Sequence, residues 1–352
     1  MDQIPFTVLI PYFGGGGGGR VEPAARLRGR GGNARSLGFV LGLLRRRLLR
    51  GSATHPAPGE KLLRQTILGG LFSTLATMSI AQPDPIKIVS AENFYGDVAE
   101  QIGGPDVAVT SILNNPDQDP HLFEVSPSVG RDISDARIVI YNGVDYDPWM
   151  EKLLRAARSA NRKTIVVADL VGKKAGDNPH IWYELATMSA LAKTLSDTLS
   201  IEDPAHRAGY EGRLVRFEES VRPILAKIGE LHRRLAGTSV TATEPVFGYV
   251  FDALGMQVRN RAFQLAVMNN TEPSASDVAA FESDLKTHQG KLLIYNSQAT
   301  DPIADRMRKI AKASGVPLVG ATETEPAGEN YQGWMTSVLD AIDRALPKQQ
   351  TP

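Results

Sequence analysis

Asp119-Pro120-His121-Leu122-Phe123-Glu124-Val125-Ser126-Pro127 presents an imidazole on a proline-stiffened loop, and the rest of the chain is organised around this stretch. Asp177-Asn178-Pro179-His180-Ile181-Trp182 repeats the arrangement further along. Each proline fixes its own φ and pushes the residue before it towards an extended conformation, so each histidine leaves a rigid bend. A rigid bend is typical of a metal ligand or a catalytic imidazole, although a loop that caps a helix gives the same pattern.

Both histidine loops lie within a series of short apolar strands and helices. We predict strands over residues 86–89, 107–112, 137–141 and 164–168, and helices over residues 93–102, 126–134, 149–160 and 183–199. Nearly all-apolar strands that alternate with helices indicate a parallel sheet covered on both faces. Each histidine loop follows a strand end, where open α/β sheets bind their ligands.

Residues 203–235 form a long charged segment with apolar residues at helical spacing. These are Tyr210, Leu214, Phe217, Val221, Leu225, Ile228, Leu231 and Leu235. Asp203 and Pro204 predict the start of a helix and Gly237 its end, while Pro223 would kink the helix or be absorbed in it. A helix of this length spans about 45 Å, so we interpret it as a rigid connection between two lobes with limited hinge motion.

A second lobe follows the long helix. We predict strands over residues 240–242, 291–295 and 316–319, and helices over residues 245–254, 274–287, 301–314 and 331–346. The predicted fold class is therefore α/β, with two lobes of mainly parallel sheet joined by a long rigid helix and a site in the cleft between them. The predicted boundaries are 82–202 for the N-terminal lobe, 203–236 for the connecting helix and 237–352 for the C-terminal lobe.

The first part of the chain has a different pattern. Residues 1–60 contain a glycine run and an arginine-rich stretch, and we interpret them as a disordered extension or as sequence upstream of the true start; a membrane-surface helix or a nucleic-acid tail is the alternative. Residues 61–81 predict a secretory signal peptide, because Lys61 and Arg64 precede a short apolar run that ends at the small-x-small site Ser79-Ile80-Ala81. The mature chain would start near Gln82 and be periplasmic.

Composition limits the possible functions. The chain has 352 residues, of which 42% are apolar and 22% charged, enough for two globular cores. It contains no cysteine, which excludes disulfides, thiolate zinc sites and a lipoprotein's acylated cysteine, so we expect a soluble, monomeric product without a lipid anchor. Residues 1–81 hold 11 basic and 3 acidic residues, and the remainder holds 28 basic and 36 acidic. An acidic body argues against nucleic acid as a partner.

Each lobe offers two metal-ligating side chains just beyond its strands. The four are His121, His180, Glu244 and Glu323. Two imidazoles and two carboxylates can hold a divalent first-row ion, and an ion in the cleft would join the lobes. Taken alone, Glu244 is equally typical of a helix N-terminus, where the dipole favours an acidic residue. Glu325 and Glu329 are the competitors of Glu323 as the fourth ligand.

From about residue 86 onward the chain resembles the metal-binding receptors of ABC importers for zinc and manganese. The motifs that carry the resemblance are Asp119-Pro120-His121 followed by Ser126-Pro127-Ser128, Asn178-Pro179-His180-Ile181-Trp182, the long helix, Glu244-Pro245-Val246-Phe247-Gly248-Tyr249 and Thr322-Glu323. The resemblance implies that His121, His180 and Glu244 are ligands, and that Glu323 stands where the family usually has aspartate. It also implies an importer permease and its ATPase as partners.

The departures from that family bear on the identity of the metal. The zinc receptors usually have a third histidine where this chain has Glu244, and they often carry a histidine-rich loop, whereas the manganese receptors resemble this chain. Two carboxylates make a site harder, which favours Mn²⁺ or Fe²⁺, although Zn²⁺ binds many such sites more tightly by intrinsic affinity. We predict a receptor for a divalent transition metal, Mn²⁺ before Zn²⁺, rather than an enzyme.

Two other functions stay open from the residues alone. A metal-dependent hydrolase would need an open coordination position and a general base, and the sequence contains no His-Glu-x-x-His motif. A receptor for a metal chelate or another organic ligand would need an aromatic cleft. Trp182, Tyr249, Phe263 and Trp334 are the side chains that could line one, although core packing explains such residues equally well.

Overall fold

The computed structural model describes residues 84–115, 123 and 125–346. The predicted extension at residues 1–60, the predicted signal peptide at residues 61–81 and the first candidate ligand, His121, lie outside these residues. Within them, no helix is long and apolar enough to cross a membrane.

Each lobe contains a four-stranded parallel sheet. The strands are β1 (Ile86–Glu92), β2 (Val107–Leu113), β3 (Ile138–Tyr141), β4 (Lys163–Val166), β5 (Ser239–Ala242), β6 (Gln257–Val258), β7 (Leu293–Asn296) and β8 (Leu318–Ala321). Their order is β2-β1-β3-β4 in the first sheet and β6-β5-β7-β8 in the second, and every pair is parallel. The two sheets therefore share one topology, with the third strand of each lobe between two neighbours.

The helices follow the strands in the alternation that the sequence predicts. They are α1 (Asn93–Gly103), α2 (Pro127–Asp135), α3 (Pro148–Ala156), α4 (Val167–Leu170), α5 (Leu185–Glu202), α6 (Arg207–Leu235), α7 (Gly248–Ala253), α8 (Arg261–Met268), α9 (Ala275–Lys286), α10 (Pro302–Ala313) and α11 (Tyr331–Ala345). All four residues of β3 are buried, as are the last five of β1. Burial of successive residues means that side chains on both faces of the sheet are covered, which is the reason these strands are apolar throughout.

The long helix α6 packs against α1 and α5 of the first lobe and against α11 of the second. It runs through Pro223 without a break, and Gly237 just beyond it has a φ of 80°, so the predicted end is correct. Its start differs from the prediction, because Pro204–His206 form a separate 3-10 turn before the helix. Asp203 accepts hydrogen bonds from His206 and from the Tyr210 hydroxyl instead of capping the helix.

The remaining differences from the predicted elements are local. The fourth strand ends at Val166 and continues directly into the short helix α4, and α3 ends at Ala156. Strand β6 and helix α8 were not predicted from the sequence. Strand β6 has only two residues, too few for a periodic pattern, and α8 begins after Asn260, whose left-handed φ of 58° turns the chain sharply.

Aromatic stacking and paired hydrogen bonds hold the two lobes together. Phe94 of the first lobe stacks on Trp182 with ring centroids 4.6 Å apart and lies 5.9 Å from Trp334 of the second lobe. Asn93 donates to the Glu325 carbonyl at 2.7 Å and accepts from the Glu325 amide at 3.0 Å. These contacts fix the lobes to each other near the site as well as through α6.

The burial pattern of α6 yields a matched pair of stability predictions. Leu231 is fully buried and Leu225 is 53% exposed on the same helix, so the same substitution removes packing from one position and almost none from the other. We expect Leu231→Ala to lower the free energy of unfolding by about 2–5 kcal/mol and Leu225→Ala by about 0.5 kcal/mol or less. Urea unfolding of the two variants tests this, and equal losses would contradict the packing described for α6.

Candidate metal site

The carboxyl ends of the strands carry the candidate ligands to one region between the lobes. Glu244 lies two residues beyond β5 and Glu323 two residues beyond β8. His180 ends the loop that follows α4 and precedes a 3-10 turn at Ile181–Tyr183. His180 and Glu323 are fully buried and Glu244 is 5% exposed, so all three lie away from bulk water.

His180 is held in one tautomer by the residue two positions before it. The Asn178 side-chain nitrogen donates to the Pro245 carbonyl at 2.7 Å, so its oxygen faces the ring and lies 2.6 Å from His180 Nδ1. Because that oxygen only accepts, Nδ1 carries a proton, and in the neutral ring Nε2 carries the lone pair. Nε2 lies 3.6 Å from Glu323 Oε2, where it can bind a cation or, when protonated, the carboxylate.

Glu323 is fixed at both carboxylate oxygens and at its backbone. Its Oε1 accepts from Asn296 Nδ2 at 2.6 Å, and its Oε2 accepts from the Tyr146 hydroxyl at 3.0 Å. Its backbone N–H donates to Gln298 Oε1 at 2.5 Å. Tyr146 belongs to the other lobe, so this carboxylate is aimed by donors from both sides of the cleft.

Glu244 points into the same region and not along the turn that it begins. Its backbone is extended, with φ −144° and ψ 162°, and its side chain makes no capping hydrogen bond to the 3-10 turn at Pro245–Phe247. Its Oε2 lies 3.5 Å from Asn296 Nδ2, the group that also holds Glu323. The alternative explanation, that Glu244 serves only as an acidic residue at a helix N-terminus, therefore does not fit the position of its side chain.

The two competitors of Glu323 lie elsewhere. Glu325 is 6% exposed and its backbone is paired with Asn93 in the seam between the lobes. Burial raises the pKa of its carboxyl to about 9, and nearby carboxylates push the pKa in the same direction, Asp97 most strongly. Glu329 is exposed. Of these three carboxylates, Glu323 is the one that lies beside His180.

Three of the four predicted ligands therefore meet in one buried place. His180 contacts Glu323, and Asn296 joins Glu323 to Glu244. His121 lies outside the described residues, and its role stays a prediction. In the part of the chain that the structure describes, no three His, Cys, Asp or Glu side chains are grouped so that they could hold a metal ion by themselves.

A buried acidic pair in the first lobe supports the Tyr146 loop. Asp147 accepts from the backbone N–H groups of Asn142 at 2.7 Å and Gly143 at 2.9 Å, which closes a turn containing the left-handed residues Val144 and Asp145. Burial raises the pKa of Asp147 to about 6. Burial also raises the pKa of Glu92 well above its usual range, and the Asp147 carboxylate beside it adds to the shift.

The residues that orient the ligands were not predicted from the sequence. Tyr146, Asn178 and Asn296 are polar residues in loops or at a strand end, and their partners lie in other loops or in the opposite lobe. The position of Asn296 was the one indication of its role, because Asn296 ends the strand that lies between the strands preceding Glu244 and Glu323. That indication becomes visible only once the strand order is known.

The four aromatic side chains that were candidates to line a cleft for an organic ligand do not lie together in one. Trp182 and Phe263 are fully buried and Trp334 is 2% exposed, so these three pack in the cores. Tyr249 does line a cavity of about 460 Å³ between the lobes, but its hydroxyl donates to the Asn178 carbonyl at 2.8 Å. The aromatic residues therefore support the histidine loop and the cores.

Comparison with known proteins gives one matching family and many relatives. The family model described as ZnuA, zinc-uptake complex component A, periplasmic, matches residues 88–345. The iron ABC transporter substrate-binding lipoprotein MtsA of Streptococcus pyogenes serotype M6 is 23% identical over 82% of this chain and 100% of its own length. The manganese ABC transporter substrate-binding lipoprotein PsaA of Streptococcus pneumoniae is 23% identical over 80% of this chain and 96% of its own length.

The fold is also that of solved metal-binding proteins. The periplasmic zinc binding protein TroA from Treponema pallidum superposes with a TM-score of 0.63 at 20% identity, covering 74% of this chain and 99% of TroA. At this identity the likeness concerns the fold: two parallel-sheet α/β lobes with a long helix, as the sequence predicted.

The raised pKa of Glu325 predicts how stability changes with pH. The folded chain keeps this proton up to about pH 9, whereas the unfolded chain releases it near the ordinary value of 4.5, so the free energy of unfolding falls as pH rises through that interval. We expect Glu325→Gln, a neutral replacement, to raise the free energy of unfolding of the metal-free chain at pH 8. The gain should disappear at pH 4.5 and below.

Urea unfolding at the two pH values measures this difference, with Glu272→Gln, at an exposed loop position, as the matched control. A Glu325→Gln chain that showed the same pH dependence as the wild-type chain would contradict the shifted pKa.

Proposed function

Because the chain belongs to the ZnuA family of periplasmic zinc-uptake components, we propose that it is a receptor that captures a divalent transition metal ion for an ABC importer. The family is one of solute-binding proteins and not a known enzyme class. The ion is cargo, held between the lobes until the receptor meets its importer.

The observation that carries this proposal is the convergence of His180, Glu244 and Glu323 in one buried place between the lobes. Two carboxylates and an imidazole buried close together carry a desolvation cost, because each group gives up hydration when it leaves water. A divalent cation would offset that cost through charge and coordination together. His121, which follows β2 in the sequence, is the fourth ligand that we propose.

One ring nitrogen of His180 is directed at the proposed ion position. The Asn178 oxygen engages Nδ1, so Nε2, the nitrogen that faces Glu323, is the one available to bind a metal. Each lobe supplies two proposed ligands, and the seam of Asn93 and Glu325 already fixes the lobes near the site. We therefore expect only limited rotation of the lobes when the ion is loaded.

We propose Mn²⁺ as the cargo, with Zn²⁺ as the competitor and Fe²⁺ as a third candidate. Two imidazoles and two carboxylates form a harder donor set than three imidazoles and one carboxylate, which favours Mn²⁺ and Fe²⁺. Zn²⁺ has the higher intrinsic affinity for most nitrogen and oxygen sites, so metal supply would matter as much as the ligands. The relatives named above are an iron, a manganese and a zinc protein, which agrees with this range.

The proposed partners are the permease and ATPase of an ABC importer, and the proposed location is outside the cytoplasmic membrane. These follow from the relatives, whose names describe ABC transporter substrate-binding proteins and a periplasmic protein. The relatives do not support the expectation of export without a lipid anchor, because MtsA and PsaA are both named lipoproteins.

Metal content tests the proposed function directly. We expect the purified chain to bind one equivalent of Mn²⁺ or Zn²⁺, and His121→Ala and His180→Ala each to lose it, because each removes one proposed ligand. Mass spectrometry of the dialysed protein and competition titrations measure the stoichiometry and rank the ions. His232→Ala, at an exposed histidine on α6, is the control and should bind like the wild-type chain.

Two outcomes would count against the receptor. Absence of stoichiometric metal from the wild-type chain would remove the proposed cargo. Metal retained at full occupancy by both His121→Ala and His180→Ala would place the ion elsewhere in the chain.

A further inference from the structure

We propose that Asn296 is a positioning residue that holds Glu244 and Glu323 together for one cation and so sets the affinity of the site. This inference rests on the proposed receptor function and concerns a residue that donates to the carboxylates without ligating the metal. Its side-chain nitrogen lies 2.6 Å from Glu323 Oε1 and 3.5 Å from Glu244 Oε2. Asn296 itself is 7% exposed.

The sheet topology explains why one residue can reach both carboxylates. Strand β7 lies between β5 and β8 in the second sheet, and Asn296 is its last residue. Glu244 follows the strand on one side and Glu323 the strand on the other. Because parallel strands end at the same edge of a sheet, a short side chain at the end of the middle strand lies between the two flanking loops.

The orientation of the Asn296 amide is determined by its other bond. Its Oδ1 accepts the backbone N–H of Gln298 at 3.0 Å, a group that can only donate. The amide nitrogen must then be the atom that faces the carboxylates, so the two ends of this side chain cannot be exchanged. The backbone N–H of Asn296 donates to Thr243 Oγ1 at 3.2 Å, which ties the residue to the loop that carries Glu244.

The chemistry of the amide fits this role. Two buried carboxylates repel each other, and a neutral N–H₂ group between them reduces the repulsion without adding charge. An amide nitrogen has no lone pair for a metal, so Asn296 can stay in place while the cation binds other faces of the carboxylates. The carboxylates would then be aligned before the cation arrives, which lowers the cost of ordering them on binding.

The first lobe has a matching residue in the same place. Asn142 directly follows β3, the strand between β1 and β4, and both asparagines come after a tyrosine. Its side-chain nitrogen donates to the Pro179 carbonyl at 3.0 Å, next to His180, and its oxygen accepts from the Tyr95 hydroxyl at 2.6 Å. Each lobe therefore uses an asparagine at the end of its third strand to hold the loop or side chains that carry its ligands.

The test compares Asn296→Ala with Ser297→Ala. Ser297 is the neighbouring residue, and its hydroxyl donates to the Ala321 carbonyl at 2.9 Å, so its loss removes one hydrogen bond from the same loop and leaves Glu244 and Glu323 untouched. We expect Asn296→Ala to weaken binding of both Mn²⁺ and Zn²⁺ by about 10–100-fold, the usual effect of removing a residue that orients a metal ligand. Ser297→Ala should bind both ions like the wild-type chain.

A second measurement distinguishes the loss of ligand positioning from a general loosening of the fold. Co²⁺ bound in place of the native ion has a visible absorption spectrum that depends on coordination geometry, and we expect it to change in Asn296→Ala and not in Ser297→Ala. The midpoint of thermal unfolding of each metal-free variant shows whether the chain is folded. If Asn296→Ala does not fold, the crystal structure of the Mn²⁺-loaded wild-type chain decides, because Asn296 Nδ2 must then lie within hydrogen-bond distance of both coordinating carboxylates.

Different results would overturn the role of Asn296 and the proposed receptor function. A wild-type chain that binds neither ion overturns both. A wild-type chain that binds metal, beside an Asn296→Ala chain with unchanged affinity and an unchanged Co²⁺ spectrum, overturns the role of Asn296 alone. A loaded structure in which Asn296 contacts neither carboxylate has the same consequence.

Discussion

Burial of two carboxylates beside an imidazole is the constraint on which the centre of this protein depends. Charged oxygens withdrawn from water must receive hydrogen bonds or a cation, otherwise the folded state is destabilised. Here Glu323 receives donors from Asn296 and from Tyr146, and Glu244 lies beside the same Asn296 amide. The surrounding loops therefore supply hydrogen-bond donors to the carboxylates. A bound cation would add a favourable charge interaction with the same oxygens.

The donors come from both lobes, which couples the site to the interface. Tyr146 reaches Glu323 from the first lobe, and Asn178 donates to the Pro245 carbonyl next to Glu244. A change in the position of either lobe would therefore disturb the carboxylates and the histidine together. The aromatic stack of Phe94, Trp182 and Trp334 limits such changes by packing the lobes near the ligands.

Backbone strain and a buried carboxyl occur together in the turn beside the site. Val144 and Asp145 have left-handed backbones in the turn that presents Tyr146, and the raised pKa of Asp147 reflects the burial of the carboxyl that closes the turn. Residues with strained backbones lower the stability of the folded state, and they persist where the surrounding structure holds their conformation in place. Their location next to the Tyr146–Glu323 contact indicates that this loop is shaped to position a donor more than to stabilise the fold.

The sequence by itself determined the class of the fold and the candidate ligands. Apolar runs alternating with helical patterns predicted the parallel sheets, periodic apolar residues predicted α6, and proline-stiffened loops and strand ends pointed to His180, Glu244 and Glu323. Only the tertiary structure decided that Glu323, and not Glu325, lies beside His180, and that Asn178 and Asn296 orient the ligands. Periodicity and turn chemistry are local and can be read along the chain. A hydrogen bond between loops far apart in sequence depends on strand order and on the packing of two lobes, which no local pattern encodes.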